Sequence, residues 1–482
     1  MSEVTNKSGK WRLSKSDFLY YLDAPMHLWA KRHDQADRKI SDYDRHLMEQ
    51  GKQVGMLGQD FLQWYVGKNY DGAEVSFEAT LEDGKFEARI DGLVFDTEAE
   101  VYDLYEVKGS TGVKKEHIFD AAFQRLAAEG QMPVRSVYLV VLDGEYVREG
   151  EVDLRSLFTV MNVNEKVAEV REEVLLKREL AWEAGQREEP DGIEGCERPK
   201  TCPCVNLCHG ELPEHSIYNL PRLSKPKKRE LKGMGILQTR DIPSTFPLTD
   251  KQSRHAQAVK EGKAIIDHKA IQKRLDELDH PLYFLDYETY NPAVPMFDGY
   301  RPYEQIVFQY SLHVHETPTG EMKHFEHLET GKGDVSRRVV SKLAEDIGDA
   351  GSIIVWNMPF EATRNKEMAK RYPEYAEFLL GLNERMFDLM RIFSDGLYVD
   401  ADFHGSASIK AVLPALVGEG GYEELLIGKG DEAMMAWVEI VHEMVVEEQV
   451  ERVREELLKY CELDTLAMVR NLEFLQEAVS TS

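Results

Sequence analysis

The chain has 482 residues, 42% of them hydrophobic, and a formal net charge of −28. That length suits roughly two to four domains with their own cores, and no apolar run reaches the ~18 residues that a membrane-spanning helix requires. The acidity argues against a passive nucleic-acid coat, but not against an enzyme whose bound cations and local basic patches meet phosphate. The opening Met1-Ser-Glu-Val-Thr-Asn-Lys7 lacks the apolar core of a secretory signal, which predicts a cytoplasmic protein.

Residues 1–215 read as a first domain. Helical signals at 14–22 and 43–61 precede strands at 74–81, 86–95, 101–108 and 136–142, which alternate or run continuously apolar. Asp83-Gly84 is a hairpin signal. Asp91 on one strand and Glu106 on the next can hold a divalent ion between them, and Lys108 shares the face of Glu106, where it can neutralise charge on a phosphate. Gln124 follows on a helix; Gln59-Asp60, on an early helix, is a weaker candidate. A charged helix over about 163–187 leads to Cys196, Cys202, Cys204 and Cys208, four of the five cysteines within 13 residues. In a cytosolic chain this clustering points to metal ligation rather than disulfides.

Residues 216–275 read as a basic helical linker punctuated by Pro and Gly. From Ser216 to Arg274 there are 14 Lys and Arg against 5 Asp and Glu, a local net of +9. The run Lys225-Pro-Lys227-Lys228-Arg229 beside small apolar helices suits phosphate tracking, the other reading being a solvated connector.

Residues 276–482 form the second large domain, with strands expected at 282–288, 307–315 and 352–357 and helices at 336–348, 361–371 and 437–478, an α/β pattern. Asp286 and Glu288 alternate onto one side of an apolar strand. Two neighbouring carboxylates repel, and a divalent cation is the usual compensation. Glu361 follows the strand Ile353-Ile-Val-Trp356 and opens a helix at its edge, with Asp388 a competitor for the same role. Asp464 and Tyr460 lie four residues apart on one late helix face, so a phenol can orient an attacking water.

The order Asp286-x-Glu288, Asn357-x-x-Phe-Glu361, Tyr460-x-x-x-Asp464 resembles the DEDD exonucleases of the tyrosine subgroup, which have an RNase H-like fold. The resemblance implies two-metal 3′–5′ exonuclease chemistry with Mg2+ or Mn2+; this sequence departs from it in carrying Glu361 where relatives carry Asp. Asp388-Leu-Met, Gly405-Ser-Ala-Ser-Ile-Lys410 and Tyr422-Glu-Glu-Leu425 extend the likeness to an uncharacterised bacterial family that joins such a domain to a RecB-like nuclease module, and Lys410 becomes a candidate phosphate contact.

Asp91, Glu106-x-Lys108 and Gln124 resemble the PD-(D/E)XK nucleases, a restriction-endonuclease-like fold, in their RecB-like branch. Members of the CRISPR-adaptation type hold a [4Fe–4S] cluster with one early and three late cysteines. Here Leu22-Asp23-Ala24-Pro25 has Ala24 at the early position. Cys196, Cys202 and Cys208 match the late ligands, and Cys204 is an extra thiolate that could complete the set. Four thiolates also suit Zn2+, and His209 is a spare ligand.

The combined expectation is an α/β nuclease of two catalytic domains acting on DNA, in repair or defence, with RNA not excluded. The rivals are an enzyme with one live site and a nucleic-acid-binding scaffold subunit without hydrolysis.

Overall fold

A computed structural model describes residues 11–37, 40–418, 421–422 and 425–480. The opening heptapeptide and the pair Glu423-Glu424 lie outside them. The chain is mixed α/β and divides into two compact units, residues 1–211 with 292–304, and residues 212–291 with 305–482. The residues expected to form the basic linker thus fall in the second unit, and a loop from within the expected C-terminal domain falls in the first. Among the described residues, no helix is long and apolar enough to cross a membrane.

In the first unit, β1 (Leu13–Ser14), α1 (Lys15–Asp23), α2 (Pro25–Arg32) and α3 (Asp42–Asn69) precede the strands β2 (Glu74–Asp83), β3 (Phe86–Asp96) and β4 (Val101–Lys108). Then come α4 (Lys115–Glu129), β5 (Val134–Leu142), β6 (Phe158–Asn162) and α5 (Asn164–Gln186). Gly84, at φ +58, makes the tight β2–β3 turn, and Asp83 pairs with Phe86. The sheet runs β1-β3-β4-β5-β6, with β2 on the other edge of β3. β4 and β5 are parallel because α4 carries the chain back between them.

Strand alternation sends Leu104, Leu139 and Val141 to one face, where they pack with Phe123 and Leu126 of α4 and Val174 of α5. Tyr105, Val140 and Leu142 point to the other face, against Val54, Phe61 and Leu62 of α3. Each such large apolar side chain contributes about 1.5–3 kcal/mol on burial. Residues 292–304 belong here too: the Ala293 amide donates to Gln50 Oε1 at 2.6 Å, and Arg148 Nη1 to the Met296 carbonyl at 2.6 Å.

The second unit begins with the basic segment. Its helices α6 (Lys225–Gly233) and α7 (Asp250–Glu261) surround a small core of Ile217, Leu220, Leu231, Ile242 and Phe246. After β7 (Ile265–Ile266) come β8 (Leu282–Tyr290), β9 (Ile306–His315), β10 (Met322–Leu328), α8 (Val335–Asp346), β11 (Ser352–Val355), α9 (Met358–Arg371), β12 (Met386–Asp388) and β13 (Tyr398–Val399). The unit closes with α10 (Ile409–Val417), α11 (Gly430–Val441) and α12 (Glu447–Ser480).

The main sheet is ordered β10-β9-β8-β11-β12. β8 runs antiparallel to β9 and parallel to β11, while β13 pairs separately with β7. One face packs on α8 through Val339, Val340 and Leu343, the other on α12 through Met468, Leu472 and Leu475.

Two expectations are corrected. The helix expected over 437–478 is two helices, because Glu443 adopts φ +56, a left-handed conformation that ends a helix. The expected strand 352–357 stops at Val355, and Asn357, at φ +130, caps α9 instead.

Candidate functional site

Carboxylates from three elements meet in the second unit. β8 alternation puts Asp286 and Glu288 on one side, opposite Ser311 and Gln309 of β9. Glu361 lies in the first turn of α9, just beyond β11, and Asp464 lies on α12. Glu288, Glu361 and Asp464 are buried, while Asp286 keeps partial access to solvent. Burial, followed by the charges of Asp464, Glu288 and Glu361, pushes the Asp286 carboxyl well above its ordinary range. Burial and Asp464 do the same to Glu288, opposed by the Lys410 ammonium. Burial pushes Glu361 up to about 8. Cys461 Sγ stands 3.7 Å from Asp286 Oδ2.

Two tyrosines and a lysine line the α12 side. Tyr422 donates its hydroxyl to Asp464 Oδ1 at 2.5 Å. Lys410 Nζ donates to the Tyr460 hydroxyl at 2.9 Å and to the Gly428 carbonyl at 2.8 Å. Burial and the Asp464 charge keep the Tyr460 phenol protonated. The ligand atoms of Asp286, Glu288 and Cys461 lie within 4.8 Å of one another; the two carboxylates suit a hard divalent cation, and Glu361 Oε2, although buried, finds no hydrogen-bond partner among the described residues.

Asp388 is the neighbour beyond Glu361. Its charge acts on Glu361, and its Oδ1 is also buried without a hydrogen-bond partner among the described residues. It opens onto a cavity of about 610 Å3 that Asn357, Lys251, His255 and Arg391 help to line. The charge of Glu361 also contributes to the raised proton affinity of Asp286.

In the first unit, Asp91 and Glu106 lie on adjacent antiparallel strands, one step beyond the Gly92–Tyr105 pair. Asp91 Oδ2 accepts from the Val107 amide at 2.8 Å. Glu106 Oε1 accepts from Lys15 Nζ at 2.6 Å and Lys108 Nζ at 2.7 Å, and its Oε2 accepts from Gln124 at 2.8 Å. Lys108 also pairs with Asp120, which accepts from Gln124 at 2.9 Å. Burial and the Glu106 charge push Asp91 up to about 7. Burial works against ionised Glu106 too, yet Lys108 and Lys15 hold it down at about 2. Asp91, Glu106, Lys108 and Gln124 are thus together, joined by Lys15 and Asp120, which the sequence reading missed. A basic residue on the first helix and an acid one turn before Gln124 were the available signals, but only folding brings Lys15 across 91 residues to Glu106.

The four clustered cysteines also meet. The ligand atoms of Cys202, Cys204, Cys208 and His27 all lie within 4.8 Å of one another, and so do those of Cys196, Cys202 and His209. The group can bind a metal ion. His27, three residues after Ala24, was not singled out in the sequence.

The remaining candidates lie elsewhere. Gln59 bonds Glu78, and Asp60 is exposed. Lys225 and Arg229 are exposed on α6, Lys227 bonds the Pro247 carbonyl, and Lys228 sits 5.4 Å from the Tyr218 ring centre.

Residues 283–408 match the model of a domain of unknown function, DUF2779. The stretch contains Asp286, Glu288, Glu361 and Asp388 but stops short of Lys410, Tyr460 and Asp464. An uncharacterised protein of Mycoplasma pneumoniae, the MG366 homolog, is 31% identical over 232 residues, which cover 44% of this chain and 34% of that protein. The uncharacterised protein MG366 of Mycoplasma genitalium is 26% identical over 250 residues, 48% of this chain and 37% of its own. The matched stretch therefore spans about a third of each relative. Among solved structures, an alkaline exonuclease from Laribacter hongkongensis shares 15% identity at a TM-score of 0.24, over 36% of this chain and 90% of that one. That likeness is too distant to inform fold or chemistry.

Proposed function

We propose that this chain is a metal-dependent nuclease whose principal site is the carboxylate cluster of the second unit. The observation that carries the reading is the pair Asp286 and Glu288, with ligand atoms within 4.8 Å of each other and of Cys461, flanked by Asp464 and Tyr460 of α12 and by Glu361, whose buried Oε2 has no hydrogen-bond partner among the described residues. The sheet order β10-β9-β8-β11-β12 agrees with an RNase H-like fold of the DEDD type. The four carboxylates would hold Mg2+ or Mn2+, which supply charge neutralisation at the scissile phosphate and acidity to the attacking water. Tyr460 is a hydrogen-bonding group that orients this water. Lys410 fixes the phenol, and Tyr422 fixes Asp464. The 3′–5′ polarity and DNA as the substrate rest on the resemblance.

The PD-(D/E)XK-like group Asp91, Glu106, Lys108 and Gln124 is the second site. One observation favours a quieter role for it. Glu106 Oε1 accepts from Lys15 and Lys108 and its Oε2 from Gln124, so a cation at this carboxylate competes with these donors. The second reading is therefore an enzyme with one live site, its first unit holding nucleic acid.

The test is a panel of end-labelled single- and double-stranded DNA and RNA with Mg2+ or Mn2+, on wild type, Asp286→Ala and Glu106→Ala. The reading expects shortening from the 3′ end that Asp286→Ala abolishes. Shortening from the 3′ end that survives Asp286→Ala, or no hydrolysis with either cation, overturns it.

A further inference from the structure

We propose that His27, Cys202, Cys204 and Cys208 bind a single Zn2+ ion in place of an iron–sulfur cluster, with Asp23 as the group that orients His27. Four facts carry this. His27 Nδ1 lies 2.8 Å from Asp23 Oδ2, which leaves Nε2 to face the thiols, 3.5 Å from Cys202 Sγ. A carboxylate on the far nitrogen is the usual support of a metal-bound imidazole. Cys204 Sγ and Cys208 Sγ are 3.6 Å apart, and all four ligand atoms lie within 4.8 Å of one another. Ligands at ~2.3 Å from one tetrahedral ion stand about 3.8 Å apart, whereas thiolates that each bind a different iron of a four-iron cluster stand roughly 6 Å apart. The spacing is that of one ion.

The third fact is burial: His27 is 2% exposed and Cys204 6%. The fourth is the position of the two ligand segments. The α1–α2 corner and the stretch around residues 187–209 are already tied by the Met26 amide on the Glu194 carbonyl at 3.0 Å and by Trp29 Nε1 on the Arg187 carbonyl at 3.0 Å. A zinc ion there would pin this returning segment to the N-terminal helices. Ala24 cannot ligate, and an imidazole one turn later supplies the ligand that a mononuclear site needs. Cys196 belongs to the adjoining group with Cys202 and His209, its Sγ 3.3 Å from His209 Nε2, and it is not one of the four mutually close ligand atoms.

The experiment measures metal and acid-labile sulfide in the purified full chain, then the release of metal to a competing chelator. One zinc per chain without iron or sulfide is expected. His27→Ala should release zinc at least ~10-fold faster and Asp23→Asn about 10-fold faster, while His27→Cys and Cys196→Ser retain it. Should His27→Ala fail to fold, Co2+ substitution of wild type decides: its absorption should show tetrahedral geometry with three thiolate ligands. Stoichiometric iron and sulfide, four thiolates on cobalt, or zinc lost from Cys196→Ser but kept by His27→Ala would overturn the proposal.

Discussion

Lys410 Nζ lies 2.9 Å from the Tyr460 hydroxyl and 4.7 Å from the centre of the same ring. The lysine therefore holds the phenol by its oxygen and its face together, and its charge also opposes the raised proton affinity of Glu288 and Asp464. If Tyr460 orients the attacking water, Tyr460→Phe should lower kcat on the order of 10²-fold with little change in the Mn2+ concentration needed for half activity. Lys410→Met should act through the same group, so the double variant is expected to be no slower than the slower single one. Fully additive losses would separate the two residues.

Stability should depend on pH and metal together. The folded chain raises Glu361 to about 8 and Asp91 to about 7, above ordinary values of 4.5 and 3.8. A carboxyl with a raised folded pKa binds a proton that the unfolded chain releases. Its stabilising contribution is therefore complete below the unfolded pKa and is lost as pH rises towards the folded one. Metal-free protein should lose on the order of a few kcal/mol between about pH 5 and about pH 8, and Mn2+ should restore more at the upper end, where the ligands are ionised. Thermal melts in chelator and in Mn2+ check this; a chelated Tm that stays flat or rises over that range contradicts it.

Glu106 is the hub of the first-unit network. Glu106→Ala leaves Lys15 and Lys108 with Asp120 as their remaining carboxylate partner there, and breaking a buried pair from one side costs about 3 kcal/mol. For a unit of this size that is a Tm fall of roughly 6–12 °C. Calorimetry should show the fall in the transition of the first unit, while 3′ shortening by the second unit persists below it. A shift under about 2 °C would mean that the network is not structural.

Reversing Lys225, Lys227, Lys228 and Arg229 to Glu tests whether α6 meets phosphate. Loss of single-strand contacts should reduce the slope of log affinity against log salt by roughly 2–3, at about 0.7 per phosphate contact. Unchanged affinity and slope would leave α6 a solvated helix.

Seven of the thirteen strands among the described residues were legible because their side chains alternate or run apolar, and the short β1, β6, β7, β12 and β13 were not. β10 was not, since Met322–Leu328 is a polar edge strand with one fully buried residue, Leu328, and so carries no strong period. The break between α11 and α12 was hidden for a different reason: helical periodicity continues on both sides of Glu443, and a single positive φ has no compositional mark there.

The chain by itself determined which chemistries were in reach. Asp286 and Glu288 share a side because a strand has period two, and Tyr460 and Asp464 share a face because four residues make about one helical turn. Four cysteines within 13 residues lie within roughly 40 Å of chain reach, so a local fold is enough to gather them. Only tertiary structure decided which distant groups complete each set. Lys410 meets Tyr460 across 50 residues, Lys15 meets Glu106 across 91, and His27 meets Cys202 across 175. Local periodicity sets the direction in which a side chain points, whereas its partner is set by the sheet order and helix packing that bury both, and no short window of sequence encodes that order.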